Sequence, residues 1–199
     1  MDDIVKKAME KWPNVPNCYG WLLLDARGAW RMRDEHAQAE NLPGDRLAHV
    51  ALLAFINRNY ASDARGCWYF QNGPQRVYVN LESTPYVART DADGALLLHT
   101  GAPLGAIDGA WFTDTGALIL QAELCVAQLD DRDLLQCLPR LRIDGEVADD
   151  NLLMQWLTGE ANAAVTLQDG ARQVPVARLV ATEVPIHFGF VRVPVAEHT

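Results

Sequence analysis

The sequence predicts an α+β fold: a mainly antiparallel sheet built from hairpins, with three to four short helices packed on it. Three observations predict it. Period-two apolar runs outnumber helical ones, reversals of the form Asp-x-x-Gly recur between them, and the helices do not alternate strictly with strands as a doubly wound parallel sheet requires. The 199 residues are 49% hydrophobic and 22% charged, which excludes bulk disorder and is enough for a core burying roughly 70% of the unfolded surface. One compact domain over 1–199 is expected. If it is two lobes, they are a hairpin-helix-hairpin lobe over 1–100 and a second β-rich lobe over 101–199, with helices near 131–138 and 149–157.

The elements follow in order. Ile4, Val5, Ala8, Met9 and Trp12 share one stripe of a short helix that Pro13 and Pro16 end. Tyr19 to Asp25 reads as a strand, Asp25-Ala26-Arg27-Gly28 as a type I turn, and Trp30 and Met32 alternate with Arg31 and Arg33 to close a hairpin. The device recurs at Asp63-Ala64-Arg65-Gly66, at Asp91-Ala92-Asp93-Gly94 and, shortened, at Asp114-Thr115-Gly116. The unequal intervals exclude a fixed-period solenoid, and none of the tips carries the ligand ladder of a calcium loop.

A helix is expected within Gly44 to Tyr60, with Asp45 as its N-cap and Leu47, Val50, Ala51, Ala54 and Phe55 at helical spacing. Arg76 to Glu82 reads as an amphipathic strand, Val77, Val79 and Leu81 facing one way and Arg76, Tyr78, Asn80 and Glu82 the other. Asn72-Gly73 forms its turn, and Pro85 begins an edge or the next strand. Further strands are expected near 95–100, 110–113, 117–127, 163–168, 173–181 and 186–193, and a frayed tail over 194–199.

Acidic residues outnumber basic ones 26 to 17, for a net charge of -9. That field disfavours nucleic acid and anionic membrane surfaces as partners. No export signal and no apolar run long enough to span a bilayer is visible, so a soluble, cytoplasmic protein is expected. Cys18, Cys67, Cys125 and Cys137 show no zinc-ligand spacing and are read as free thiols, although an even count permits two disulfides. All three lysines fall in the first helix, against fourteen arginines along the chain.

Catalytic signatures are missing. Ser62 and Ser83 are the only serines and neither sits in a nucleophile elbow; there is no phosphate-binding loop and no dinucleotide fingerprint. No His pair has metal-ligand spacing, so neither metal nor cofactor is expected, though distant ligands can meet in space. His187, between Ile186 and Phe188, is a candidate buried base if it lies on an alternating strand, with His99 the other histidine considered for that part. The strongest polar constellation comprises Asn57, Arg58 and Asn59 at the end of the central helix with Gln71, Asn72, Arg76, Asn80, Glu82 and Arg89 on the strands after it, Asn57, Arg58, Arg76, Asn80 and Glu82 being the ligand-binding candidates. If those segments meet, they form a cleft for a small polar ligand or a partner's backbone; otherwise they are a solvated sheet face. Trp21, Trp30, Trp68, Trp111 and Trp156 supply core mass or an oligomer interface. These residues point to a binding or scaffold protein, self-associating or holding a protein partner or small ligand. The alternative is an enzyme of unfamiliar type using the Arg/Glu/Asn cleft.

The segments Gly20 to Trp30, Ala54 to Tyr60, Phe70 to Val79 and Leu81 to Val87 resemble proteobacterial families of uncharacterised proteins. The resemblance is strongest over residues 18–90. The order of hairpin, helix and paired strands, ending in Glu82-Ser83-Thr84-Pro85-Tyr86-Val87, also resembles a second, larger family of unknown function. It implies a compact cytoplasmic protein and brings no reaction, cofactor or catalytic residue with it.

Overall fold

The Asp-x-x-Gly reversals form because one carboxylate oxygen serves the amides two and four residues on while the glycine takes the left-handed conformation that other residues avoid. In the computed structural model, which describes residues 2–12 and 14–196, Asp25 Oδ1 accepts from the N–H groups of Arg27 and Ala29. Asp63 Oδ1 does the same for Arg65 and Cys67, and Asp91 Oδ1 for Asp93 and Ala95. The fourth copy starts one residue earlier than expected. Thr113 Oγ1 accepts from Ala117 N, while Asp114 accepts instead from the amide of Ala181. Pro13, expected to help end the first helix, and the last three residues of the expected frayed tail lie outside the described residues.

The chain divides into two compact units, Met1–Pro85 with Phe188–Thr199, and Tyr86–His187. In the first, α1 (Asp3–Lys11) precedes β1 (Cys18–Leu24), β2 (Trp30–Met32), α2 (Glu35–Ala39), β3 (Asp45–Arg46), α3 (Val50–Arg58), β4 (Tyr60–Ser62), β5 (Trp68–Asn72) and β6 (Gln75–Leu81). The strands form one six-stranded sheet in the order β3-β2-β1-β6-β5-β4. Its central pair, β1 with β6, is parallel, with Leu22 opposite Val79 and Leu24 opposite Leu81. The expected α+β class holds, and the expectation of a mainly antiparallel, hairpin-built sheet holds in part: both sheets of the protein are mixed, with parallel as well as antiparallel strand pairs.

Central position also overrides the amphipathic pattern expected of 76–82. Tyr78, Val79, Asn80 and Leu81 are all buried, because β6 is covered on both faces. Phe70, opposite Val77, meets Phe55 of α3 edge-on, so α3 lies on the Val77 face. By strand alternation Arg76, Tyr78, Asn80 and Glu82 take the other face.

Three further expectations are corrected. Asp45 is not the cap of α3: it pairs with Met32 in β3, and His49 Nδ1 caps the helix instead by accepting from Leu52 N. The apolar stripe of α1 buries Val5 but leaves Ile4 and Trp12 exposed. Segment 186–193 is not a strand. Val184–Phe188 forms α6, and Gly189 follows it with φ of 68°. Val184 and Phe188 are spaced i, i+4, and a short apolar run does not separate the two periods. Among the described residues there are six α-helices rather than three or four, α2 and α6 being the additions.

The second unit carries β7 (Tyr86–Thr90), β8 (Leu96–Leu98), β9 (Gly109–Thr113), β10 (Leu118–Ala122), β11 (Cys125–Leu129), α4 (Leu134–Cys137), β12 (Leu141–Ile143), β13 (Glu146–Val147), α5 (Asp150–Thr158), β14 (Val165–Asp169), β15 (Arg172–Leu179) and α6. The nine strands form a single sheet ordered β13-β12-β14-β15-β9-β10-β11-β7-β8. The run 117–127, expected as one strand, is a hairpin broken at Glu123, whose φ is 52°. Pro85 does open a strand, but β8 rather than β7 takes the edge. Leu120, Leu141 and Leu167 have no exposed surface, and Leu153 and Trp156 bring α5 into the same core. Of the five tryptophans weighed for the core, Trp30 and Trp156 are buried and Trp21 is exposed.

The expected helix near 149–157 starts where its cap chemistry places it. Asp149 Oδ1 accepts from the N–H groups of Asn151 and Leu152, and Gly159 closes the helix with φ of 84°. Asp149→Ala is therefore expected to cost the second unit about 1 kcal/mol in a urea unfolding series, since two amides lose their acceptor.

Candidate functional site

The residues grouped from the sequence do not all come together. Asn57 turns toward the α3 side of the sheet, where its Oδ1 accepts from Trp30 Nε1 at 2.8 Å. Arg58 pairs with Asp2 at 3.3 Å. Glu82 is exposed and accepts from the amide of Ala26 at 2.9 Å. Asn80 is buried, with an Oδ1 that has no hydrogen-bond partner among the described residues. His187 is on a helix, exposed, with its ring edge-on to Trp111 at 5.5 Å. Of this set, Arg76 lines an open cleft.

That cleft, about 650 Å³ in the first unit, is built from β1, β6 and the turn before β5. The parallel pairing of β1 with β6 brings Tyr19 against Tyr78, and the two rings stack at 4.6 Å with planes 3° apart. The cross-strand pairing of β5 with β6 sets Tyr69 opposite Tyr78, edge to face at 5.8 Å. Two guanidinium groups ride on these rings, Arg76 over Tyr69 at 4.5 Å and Arg65 over Tyr78 at 5.5 Å. Planar guanidinium suits such stacking, and each contact contributes on the order of 0.5–1 kcal/mol when exposed.

Asp63 closes the arrangement. Its Oδ2 accepts from Arg65 Nη2 and from the Tyr78 hydroxyl, each at 3.0 Å. Burial works to raise its carboxyl. The Cys67 amide, the Arg65 guanidinium and the Tyr78 hydroxyl outweigh burial and hold the group below the ordinary carboxylate range, so it is charged at neutral pH. Burial pushes the Tyr78 phenol up, keeping it a neutral donor. The cleft thus holds two cations and one anion, and Arg76 has no carboxylate within ion-pair distance among the described residues.

A second cavity, about 590 Å³ in the other unit, offers less. Its Arg140 is spent on Asp169 at 3.2 Å and on the Gln168 carbonyl, and Asp169 also accepts from the amide of Ile107. His99, the other histidine considered as a base, has Nδ1 accepting from Val87 N and burial holding its pKa down at about 4. Among the described residues no group of three or more His, Cys, Asp or Glu side chains could hold a metal ion, and no helix is long and apolar enough to cross a membrane.

A family model described as "Protein of unknown function (DUF2946)" matches residues 1–195. The chain belongs to that family. The match extends well beyond the 18–90 stretch in which the resemblance is strongest, and it brings no assigned activity. No curated protein matches the chain. Among solved structures, the family member is similar to a DUF1285 family protein from Silicibacter pomeroyi DSS-3, at 15% identity, with 92% of this chain and 98% of that one covered and a TM-score of 0.48.

Proposed function

We propose that this family member is a binding module whose first unit holds a small anionic ligand in the cleft between Arg65 and Arg76. The observation that carries this reading is the pair of guanidinium groups, Arg65 over Tyr78 and Arg76 over Tyr69, with Arg76 lacking a carboxylate partner among the described residues. A guanidinium presents planar paired donors that match carboxylate and phosphate oxygens, and fixing it on an aromatic ring lowers the ordering cost of binding. The one hydroxyl–carboxylate pair in the cleft, Tyr78 with Asp63, is tied down: Asp63 is held charged by Arg65 and burial keeps the Tyr78 phenol neutral, so binding is the chemistry these residues support best.

Titration calorimetry at low ionic strength with acetate, benzoate, sulfate and phosphate tests it. Binding of at least one of these anions is expected. Arg76→Gln is expected to weaken that binding by about tenfold, since a charged hydrogen bond contributes about 1.5–3 kcal/mol. Arg140→Gln, in the other unit, should leave binding unchanged. Silence across the panel, or equal affinity in Arg76→Gln, would overturn the reading.

A further inference from the structure

We infer that the cleft selects a singly charged, ring-bearing carboxylate and discriminates against phosphate esters, Asp63 and Tyr19 being the residues that set this choice. The inference rests on the anion-binding reading above and asks which anion is taken. The first argument is charge. Arg65 already gives Nε and Nη2 to Asp63, at 3.1 and 3.0 Å, so the net charge of the lining is close to that of Arg76 alone. One negative charge completes it. A phosphate monoester carries between about one and a half and two negative charges at neutral pH. Its second charge would face the fixed carboxylate of Asp63 without a spare cation to meet it.

The second argument is shape. A cleft of about 650 Å³ lies in the range that holds an organic molecule and is far larger than a bare carboxylate requires. Tyr19 lines it, half-buried, with one ring face stacked flat on Tyr78. A flat aromatic wall beside a guanidinium favours a ligand whose ring is planar and whose charge sits at the ring's edge.

Acetate, benzoate and phenyl phosphate separate the two arguments in calorimetry on the full chain. Benzoate is expected to bind about fivefold tighter than acetate through the ring contact, and about fivefold tighter than phenyl phosphate through the like-charge penalty at Asp63. Asp63→Asn keeps the Oδ1 acceptor that holds the turn, and retained benzoate binding reports that the cleft survives. In that variant the preference over phenyl phosphate should vanish. Tyr19→Leu should bring benzoate down to the affinity that the same variant shows for acetate. Phenyl phosphate equalling benzoate in the unmodified chain, a preference that persists in Asp63→Asn, or benzoate equalling acetate would each overturn the selectivity while leaving anion binding intact. If none of the three binds, the cleft reading falls and this inference with it.

Discussion

Replacing Gly66 by alanine is expected to destabilise the first unit by about 3 kcal/mol, a large loss for one methyl group. Gly66 has φ of 77°, a conformation that costs an L-residue about 1–2 kcal/mol. The remainder is contact. A Cβ at this position would lie 2.2 Å from the carbonyl oxygen of Gly189, which is backbone and has no rotamer to yield. That approach is close because the segment after α6 is tied to the turn: Val191 N–H donates to Gly66 O at 3.0 Å, and Cys67 bridges Val191. Gly94→Ala is the comparison, since Gly94 closes the same kind of turn with φ of 83° and a Cβ there meets nothing within 4 Å. It should cost about 1 kcal/mol, the conformational part alone. Urea unfolding measures both. Hydrogen exchange adds a local readout, because Leu81 N–H donates to Arg192 O, and both Val191 and Leu81 amides should exchange faster in Gly66→Ala. Equal losses in the two variants would show that the close approach to Gly189 contributes nothing.

The same turn shows what is legible in the sequence and what is not. Asp63-Ala64-Arg65-Gly66 reads correctly as a reversal, because the amides that Asp63 serves are its own neighbours. Its second role is invisible locally: Asp63 Oδ2 reaches Tyr78, which stacks on Tyr19 only because β1 and β6 run parallel side by side. Parallel pairing needs a long crossover, and nothing in the composition of either strand specifies its partner. Asn57 illustrates the opposite failure. A polar residue at a helix end looks available for a ligand, yet it satisfies the indole N–H of Trp30, as a buried donor demands. Alternation did place Arg76 and Tyr78 on one face of one strand, and an arginine two residues from a tyrosine on that face is the signal that could have located the cleft. The missed α6 has a simpler cause, since a run of five residues, four of them apolar, fits either period.

The second unit is expected to lose stability as the pH falls from about 6.5 to about 4, and His99 is the cause. Its Nδ1 accepts from the amide of Val87, its Nε2 is shielded from solvent, and its ring lies against Tyr86 at 5.7 Å. Burial lowers its pKa from 6.5 to about 4, because a charged imidazolium there would lose water and Nδ1 would lose its role as acceptor. The unfolded chain therefore binds a proton through this window that the folded chain refuses, and protonation favours unfolding. Stability is complete above the unfolded value, declines as pH drops through the interval, and levels off below the folded value. The total is about 2–3 kcal/mol for a shift of this size in a residue that keeps some exposure. Asp130, held down to about 2 by the Arg132 guanidinium against the opposing effect of burial, adds its own acid lability only at lower pH, so the two contributions separate. Urea unfolding from neutral to acid pH, alongside the His99 ring-proton shift by NMR, measures this directly. His99→Asn keeps an acceptor for Val87 N without a titrating group, and its stability should stay flat where the unmodified protein declines. A His99 ring that titrates near its ordinary value, or a variant with the same decline, would assign the acid sensitivity to other groups.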